Sequence, residues 1–495
     1  MSIKNDINKI LLKKFPHLEV NVVKYSEVKK DNKYFRIDSE PFKRSRLLFS
    51  KNIEYIKFSE IAIINPSKSE IYNLDKNTQV TFLSMQNLGN GFINKQEQVI
   101  IKDFIEGYTY FAENDILIAK ITPCMEHGKC AIARKLYNGI GFGSTEFNVF
   151  RIKDKRFSKE YIFSFLNREN IRQIAADNMV GTSGRQRVST EFYENLLIPM
   201  FSKEFQLEIE AMVKDSHKAL ENSKKLYKEA EKILYEALGL DAENPLESIL
   251  SFREKNKVIH NHLKRYKRLN ISIRTYKESY LKTGRLDAEY YQVKYDLIEN
   301  IIKDYSKGYC KLSDIGFFTN GSFIPESFYT EQAKRAYIRI KELSLDSPIN
   351  MKDCIYINDK FKNSNETIVK ENDFVIATIG NTIGKINLIP KELDGSFISN
   401  NTSRFRLTDK NVNPIFLELL LRNSIVQEQI QREFTQTAQP KISNNSLENI
   451  IIPKIDYIIQ KKIESRIKKS LELRDKSKEL LENAKVKIEN AIIDS

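Results

Sequence analysis

The 495-residue chain is poor in cysteine and has no long apolar run, and both shortages narrow what it can be. Its four cysteines, Cys124, Cys130, Cys310 and Cys354, form no C-x-x-C pair, and His127 alone stands near the first two. That spacing excludes a disulfide framework and a zinc knuckle, so a reduced, metal-free protein is expected. No stretch approaches the roughly 20 consecutive apolar residues of a membrane-spanning helix, and the opening Met1 to Phe15 lacks a sustained apolar core. A soluble, cytoplasmic protein is the expectation.

Signatures of catalysis and of cofactor binding are also missing. Gly380-Asn381-Thr382-Ile383-Gly384-Lys385 has one residue too few between its glycines for a phosphate loop and no Ser/Thr after the lysine to bind magnesium. Leu88-Gly89-Asn90-Gly91-Phe92 is a lone G-x-G in a loop, and Asn65-Pro66-Ser67 lacks the aromatic with which an adenine methyltransferase stacks a flipped base. His260-Asn261-His262 sits in a basic linker rather than dispersed around a metal. Cys124, near His127, reads as a packed thiol, and Glu371 and Asp373 stand at a strand start, where carboxylates cap turns.

What is present is length, positive charge and repetition. The chain suits two to four domains. Lys+Arg 80 against Asp+Glu 66 gives a net charge of +14, which suits a polyanionic partner.

The repetition is clearest in two helical stretches, Gln206 to Leu238 and, 254 residues later, Gln460 to Ile492. Steps of four and three trace a seam in the first through Ile209, Val213, Ser216, Leu220, Ser223, Tyr227, Ala230, Leu234 and Ala237. In the second they trace Ile463, Ile467, Ser470, Arg474, Ser477, Leu481, Ala484, Ile488 and Ala491. Large and small residues recur at one heptad phase, the pattern of two long helices packed closely side by side. Each copy is expected to partner the other.

The globular parts repeat too. Arg36-Ile37-Asp38 is matched by Arg285-Leu286-Asp287, and Tyr55 to Ile61 by Tyr309 to Ile315. Alternating apolar residues predict strands over Val80 to Leu88 and Arg335 to Leu343, and again over Glu113 to Ala119 and Glu371 to Ala377. Helical stretches follow over Glu160 to Met179 and Pro414 to Phe434, and each unit closes on an Ile-Pro pair. The expected fold class is α+β: two pseudo-two-fold-related α/β domains separated by two long antiparallel coiled-coil helices. The expected boundaries are 1–205 and 285–455 for the domains, 206–240 and 456–495 for the spacer helices, and 241–284 for a basic linker. From Arg253 to Arg285 that linker region holds eleven Lys/Arg against two Glu.

Both units place Lys, Arg, Asn, Gln, Ser and Thr in equivalent loops, the residue types that contact phosphates and base edges. The candidates in the first unit are Lys120, Thr122, Lys129, Ser144, Thr145, Glu146, Ser183, Arg185, Gln186 and Arg187. Those in the second are Thr378, Asn381, Lys385, Asn400, Asn401, Gln439 and Lys441. Arg185-Gln186-Arg187 can grip guanine or adenine in bidentate fashion, whereas its counterpart Gln439-Pro440-Lys441 differs. If these loops read bases, the two units read different ones.

Taken together, the doubled helices, the paired segments Glu113 to Ala119 and Glu371 to Ala377, the turn Gly143-Ser144-Thr145-Glu146-Phe147, Gly184-Arg185-Gln186-Arg187 and the Ile-Pro ahead of each helix resemble the specificity subunit of a type I restriction-modification system. The resemblance covers about residues 36 to 495. It implies two target-recognition domains reading a bipartite double-stranded DNA target, and a non-catalytic chain that recruits two methyltransferase subunits and two restriction subunits. S-adenosylmethionine, ATP and Mg then belong to those partners. The segment Thr435 to Lys441 departs from the pattern, lacking the Gly-x-Ser-Gly of the first copy.

A helix of about 33 residues is about 50 Å long, against about 34 Å for a turn of DNA, so helix length is expected to set the gap between half-sites. Inserting a heptad in both helices should lengthen it. Lys225, Lys232, Lys476 and Lys487 on the outward faces are candidates for docking the methyltransferase. Two other readings stay open, a self-contained DNA-modifying enzyme and a coiled-coil adaptor without DNA specificity.

Overall fold

The computed structural model describes residues 52–494 apart from 183–185, 246, 250–271, 331–332, 362–367 and 435–439, with a few positions between 7 and 26. Ser183, Arg185, Gln439, the segment Arg36 to Phe42, most of Val20 to Val23 and His260-Asn261-His262 lie outside the described residues. The chain divides into two compact units, Met1–Glu221 with Leu473–Ser495, and Asn222–Glu472. The division falls within the two long helices, so each unit contains a part of both.

In the first unit the strands are β1 (Tyr55–Lys57), β2 (Ala62–Ile64), β3 (Gln79–Leu83), β4 (Glu97–Ile100), β5 (Thr109–Ala112) and β6 (Ile116–Ala119). They continue as β7 (Cys130–Ile132), β8 (Ile140–Gly143), β9 (Phe147–Ile152), β10 (Met179–Val180), β11 (Arg187–Val188) and β12 (Leu197–Pro199). Its helices include α1 (Lys159–Leu166), α2 (Glu169–Asp177), α3 (Thr190–Asn195) and the start of α4 (Lys203–Ala237). One sheet has the order β2-β9-β6-β7, all antiparallel; a second has the order β4-β3-β8-β5, with β3 and β8 parallel.

The second unit has α5 (Val293–Lys303), β13 (Tyr309–Lys311), β14 (Gly316–Asn320), β15 (Tyr329–Thr330), β16 (Arg335–Ile338) and β17 (Ile355–Ile357). Then come β18 (Phe374–Ala377), β19 (Ile386–Leu388), β20 (Phe397–Ile398) and β21 (Thr402–Leu407). The unit closes with α6 (Pro414–Arg422), α7 (Ser424–Arg432), α8 (Asn444–Glu448), β22 (Ile451–Pro453) and the start of α9 (Tyr457–Ile493). The sheet β14-β21-β18-β19 repeats β2-β9-β6-β7 in order and in register, Phe374 facing Phe405 as Ile116 faces Phe150. The other sheet, β15-β17-β16-β20, keeps the parallel pair β16/β20 but gains an edge strand on the opposite side.

Several predicted elements are shorter than their sequence pattern. The strand expected over Glu113 to Ala119 begins at Ile116, because Asn114 adopts a left-handed conformation (φ 74°), as Asn372 does in the second unit (φ 68°). Asn tolerates that region better than most residues. Each turn is closed by the following aspartate: Ala112 donates its N–H to Asp115 Oδ2 and Lys370 donates to Asp373 Oδ2, both at 2.7 Å. The same carboxylates receive forks from Arg151 and Arg406 at 2.6–2.8 Å, so Asp373 caps a turn and anchors a strand.

The strand expected over Val80 to Leu88 ends at Leu83, after which Met85–Asn87 form a 3-10 turn. That expected over Arg335 to Leu343 ends at Ile338, where Glu342 captures the N–H of Arg339 at 2.8 Å. The helical stretches expected over 160–179 and 414–434 each break in two, since Arg168 and Asn423 are extended. Asn423 caps α7 by accepting the N–H of Ile425 at 3.2 Å.

The long helices pack antiparallel within each unit. In the first, Ser216 Oγ donates to the carbonyl of Ser477 at 2.7 Å while Lys487 pairs with Glu208. In the second, Ser470 Oγ donates to the carbonyl of Ser223 at 2.8 Å while Arg466 meets Glu229 at 3.2 Å. These buried serines let the backbones approach and satisfy their own hydroxyls there. Val213, Leu481 and Ile488 enter the first unit's core with Phe58, Phe150 and Tyr161; Leu234 and Ile467 enter the second's with Phe374, Phe405 and Phe416. Tyr227 packs at the edge of that core, half-buried. Leu220, predicted on the seam, is half-buried, and its neighbour Ala219 is buried instead, as a straight helix of 3.6 residues per turn drifts from a 3.5-residue repeat.

Candidate nucleic-acid interface

At the end of β6 the chain passes between two loops that are distant in sequence. Lys120 donates its N–H to the carbonyl of Glu146 at 2.9 Å and its own carbonyl accepts from Val188 at 2.9 Å. Thr122 then donates to the carbonyl of Gln186 at 3.2 Å, leaving Ile121 bridged to Arg187. Three segments that the sequence marked separately, 120–122, 144–146 and 186–187, are thereby joined by main-chain bonds.

The second unit builds the same frame. Thr378 donates to the carbonyl of Asn401 at 3.0 Å, Ile442 donates to the carbonyl of Thr378 at 3.1 Å, and Gly380 donates to the carbonyl of Pro440 at 2.9 Å. Ile379 bridges Lys441. Position by position, Lys120 becomes Thr378, Glu146 becomes Asn401, Gln186 becomes Pro440 and Arg187 becomes Lys441. The backbone is duplicated and the chemistry on it is not.

Side chains complete the first frame. Arg187 grips Glu146 with both arms, Nε to Oε2 at 2.8 Å and Nη2 to Oε1 at 2.7 Å. That guanidinium holds the Glu146 carboxyl below the usual carboxylate range. The sequence had offered the two as separate contacts; no spacing rule connects residues 41 positions apart. Ser144 Oγ accepts the N–H of Glu146 at 3.2 Å and shapes the turn, whose tip Thr145 is exposed, as is Gln186. Thr122 Oγ1 donates to Glu126 at 2.6 Å.

Other candidates point elsewhere. Lys129 donates its ammonium to the carbonyl of Met85 at 2.8 Å, tying the loop after β3, and Thr378 is buried. Asn381 and Asn400 are exposed, while Lys385 and Asn401 are half-buried. Both Gly-Lys pairs turn through positive φ, Gly128 at 74° and Gly384 at 86°. An added Cβ would come within 2.6 Å of Arg172 Nη1 or of Gln427 Oε1, so glycine lets each loop close on a helix. Lys225, Lys232 and Lys476 are exposed on the long helices, Lys232 beside Glu236 at 3.7 Å.

The turns that start α1 and α6 are each fixed to the adjacent long helix by a glutamine whose part in this the sequence did not reveal. Gln206 is buried, accepting the N–H of Ser158 at 2.9 Å and donating to the carbonyl of Phe201 at 3.0 Å. Gln460 does the same with Asn413 at 2.8 Å and Ile455 at 2.9 Å. The signal available was a polar residue at matching places in two apolar-periodic helices. Among the described residues no group of three or more His, Cys, Asp and Glu is placed to hold a metal ion, and no helix is long and apolar enough to cross a membrane.

Residues 307–487 match the family model of the type I restriction modification DNA specificity domain. The specificity subunit of the type I restriction enzyme EcoEI of Escherichia coli is 34% identical over 193 residues, 38% of this chain and 31% of that one, so this alignment spans about a third of the relative's length. The EcoAI specificity subunit of the same organism is 26% identical over an alignment covering 96% of this chain and 86% of the relative. Among solved structures, the S subunit of a type I restriction-modification system from M. genitalium aligns over 90% of this chain and 96% of its own, at 14% identity and a TM-score of 0.38. Residues 307–487 are thus similar to a specificity domain, and nearly the whole chain is similar to a specificity subunit, of type I restriction-modification systems.

Proposed function

We propose that this chain reads a bipartite double-stranded DNA target, one element per unit, and supplies no reaction of its own. The observation that carries this is the duplicated main-chain frame with different side chains: Lys120, Glu146, Gln186 and Arg187 in one unit, Thr378, Asn401, Pro440 and Lys441 in the other. Two copies of a rigid support bearing unlike donors and acceptors suit two unlike short sequences. The net charge of +14 supplies the phosphate attraction that such reading needs.

In this reading the chemistry belongs to partners. Methyltransferase subunits, two per chain, use S-adenosylmethionine, and restriction subunits use ATP and Mg. The exposed Lys225, Lys232 and Lys476 are candidate docking positions for the methyltransferase. The test is to map adenine methylation in host DNA with and without this chain. One split motif is expected to disappear in its absence, and an unchanged pattern would sink the proposal. Binding of radiolabelled S-adenosylmethionine by the purified chain alone would overturn the division of labour.

A further inference from the structure

We propose that Phe323 is a DNA-contacting side chain of the second unit, pressing its ring against bases of the element that unit reads; this rests on the DNA-reading role above. Phe323 is 68% exposed, yet the backbone on both sides of it is pinned. Gly321 donates to the carbonyl of Thr402 and Ser322 to that of Ile398, each at 3.0 Å. The carbonyl of Ser322 accepts the hydroxyl of Tyr337 at 2.9 Å, and Ile324 is fully buried.

The loop is also pressed onto the turn that presents Asn400 and Asn401. A Cβ at Gly321 would lie 2.2 Å from the carbonyl oxygen of Ser399, so this close approach requires glycine there. A large apolar ring is thus held in solvent from a fixed loop whose backbone packs against the turn carrying Asn400 and Asn401. Such a ring loses little freedom on binding, which is how rigid aromatics add affinity at low entropic cost. The apolar surfaces that a duplex offers are base faces and thymine methyls, the two targets of a phenylalanine at a DNA interface.

At the same 254-residue offset the first unit has Ser69 in place of Phe323, and the nearest exposed aromatic, Tyr72, follows three residues later. There β2 stops at Ile64, Asn65 turns the chain (φ 52°) and accepts the N–H of Val149 at 2.9 Å, and the segment from Asn65 to Ile71 contains no aromatic.

The test uses the full chain and a fluorescein-labelled duplex carrying the split motif found by methylation mapping, with a scrambled duplex as control. Phe323→Ala is expected to weaken target binding about tenfold or more, with the salt slope unchanged because no charge is altered. Phe323→Trp is expected to retain binding, and the exposed position leaves the thermal melt of either variant unchanged. Replacing thymine by uracil in the half-target read by the second unit lowers affinity if the ring packs on a methyl group. A rise in 2-aminopurine fluorescence there marks insertion between bases, and either result supports the contact. Wild-type affinity and base preference in Phe323→Ala would overturn it. If the unmodified chain does not distinguish target from scrambled duplex, the DNA-reading role fails first and the contact fails with it.

Discussion

His217 shows how one side chain couples the fold to pH. It lies on α4 against Phe92, ring centroids 5.1 Å apart, and its buried Nε2 has no hydrogen-bond partner. Burial, with Arg134 nearby and against the pull of Glu221, lowers its pKa to about 4. The unfolded chain titrates near the ordinary value of about 6.5. Above that value both states are neutral and nothing is lost. Between it and about 4 the unfolded state takes up a proton that the folded state refuses, so stability falls as pH falls through this window. The loss is on the order of 2–3 kcal/mol. Urea melts at pH 7.5 and 4.5 are expected to show a smaller pH difference for His217→Gln than for the wild type; equal differences would remove His217 from the account.

The helices and their flanking loops act as one packed element. Gly91 has φ 94°, and a Cβ there would meet Leu481 Cδ1 at 2.3 Å, so the loop before β4 lies directly on α9 within the first unit. Gly91→Ala is expected to cost about 1–3 kcal/mol from overpacking and backbone strain. In Leu481→Ala the leucine is gone, so adding Gly91→Ala should cost at least about 0.5 kcal/mol less than it does alone. Strict additivity in thermal denaturation would mean that the two do not touch. Much at this scale was legible in the sequence, because the spacing of Ser216, Ser223, Ser470 and Ser477 and the apolar seam follow from helical geometry. The strand ends were not. They are set by Asn114, Asn372, Glu342 and Asn423, whose side chains or conformations stop an element that its apolar pattern would continue. Likewise the pairing of Arg187 with Glu146 depends on two loops brought together by the sheet, which no local period encodes.

For the whole molecule, the repeat predicts separable specificity. Substituting Glu146 and Arg187 should change bases in one part of the split motif, and substituting Asn401 and Lys441 should change bases in the other. Methylation mapping of the two variants checks this, and a change in both parts from either variant would contradict it. The three main-chain hydrogen bonds of each frame have a further consequence. A bond between peptide groups survives most replacements of the side chains it carries; proline is barred at the donors Lys120, Thr122 and Val188 and their equivalents Thr378, Gly380 and Ile442, and Gly380, at φ 70°, also favours glycine. At Gln186 the peptide only accepts in this bond, and its equivalent is Pro440. Such a framework can drift to new recognition sequences without first losing its fold, so the capacity to vary is itself built into the backbone.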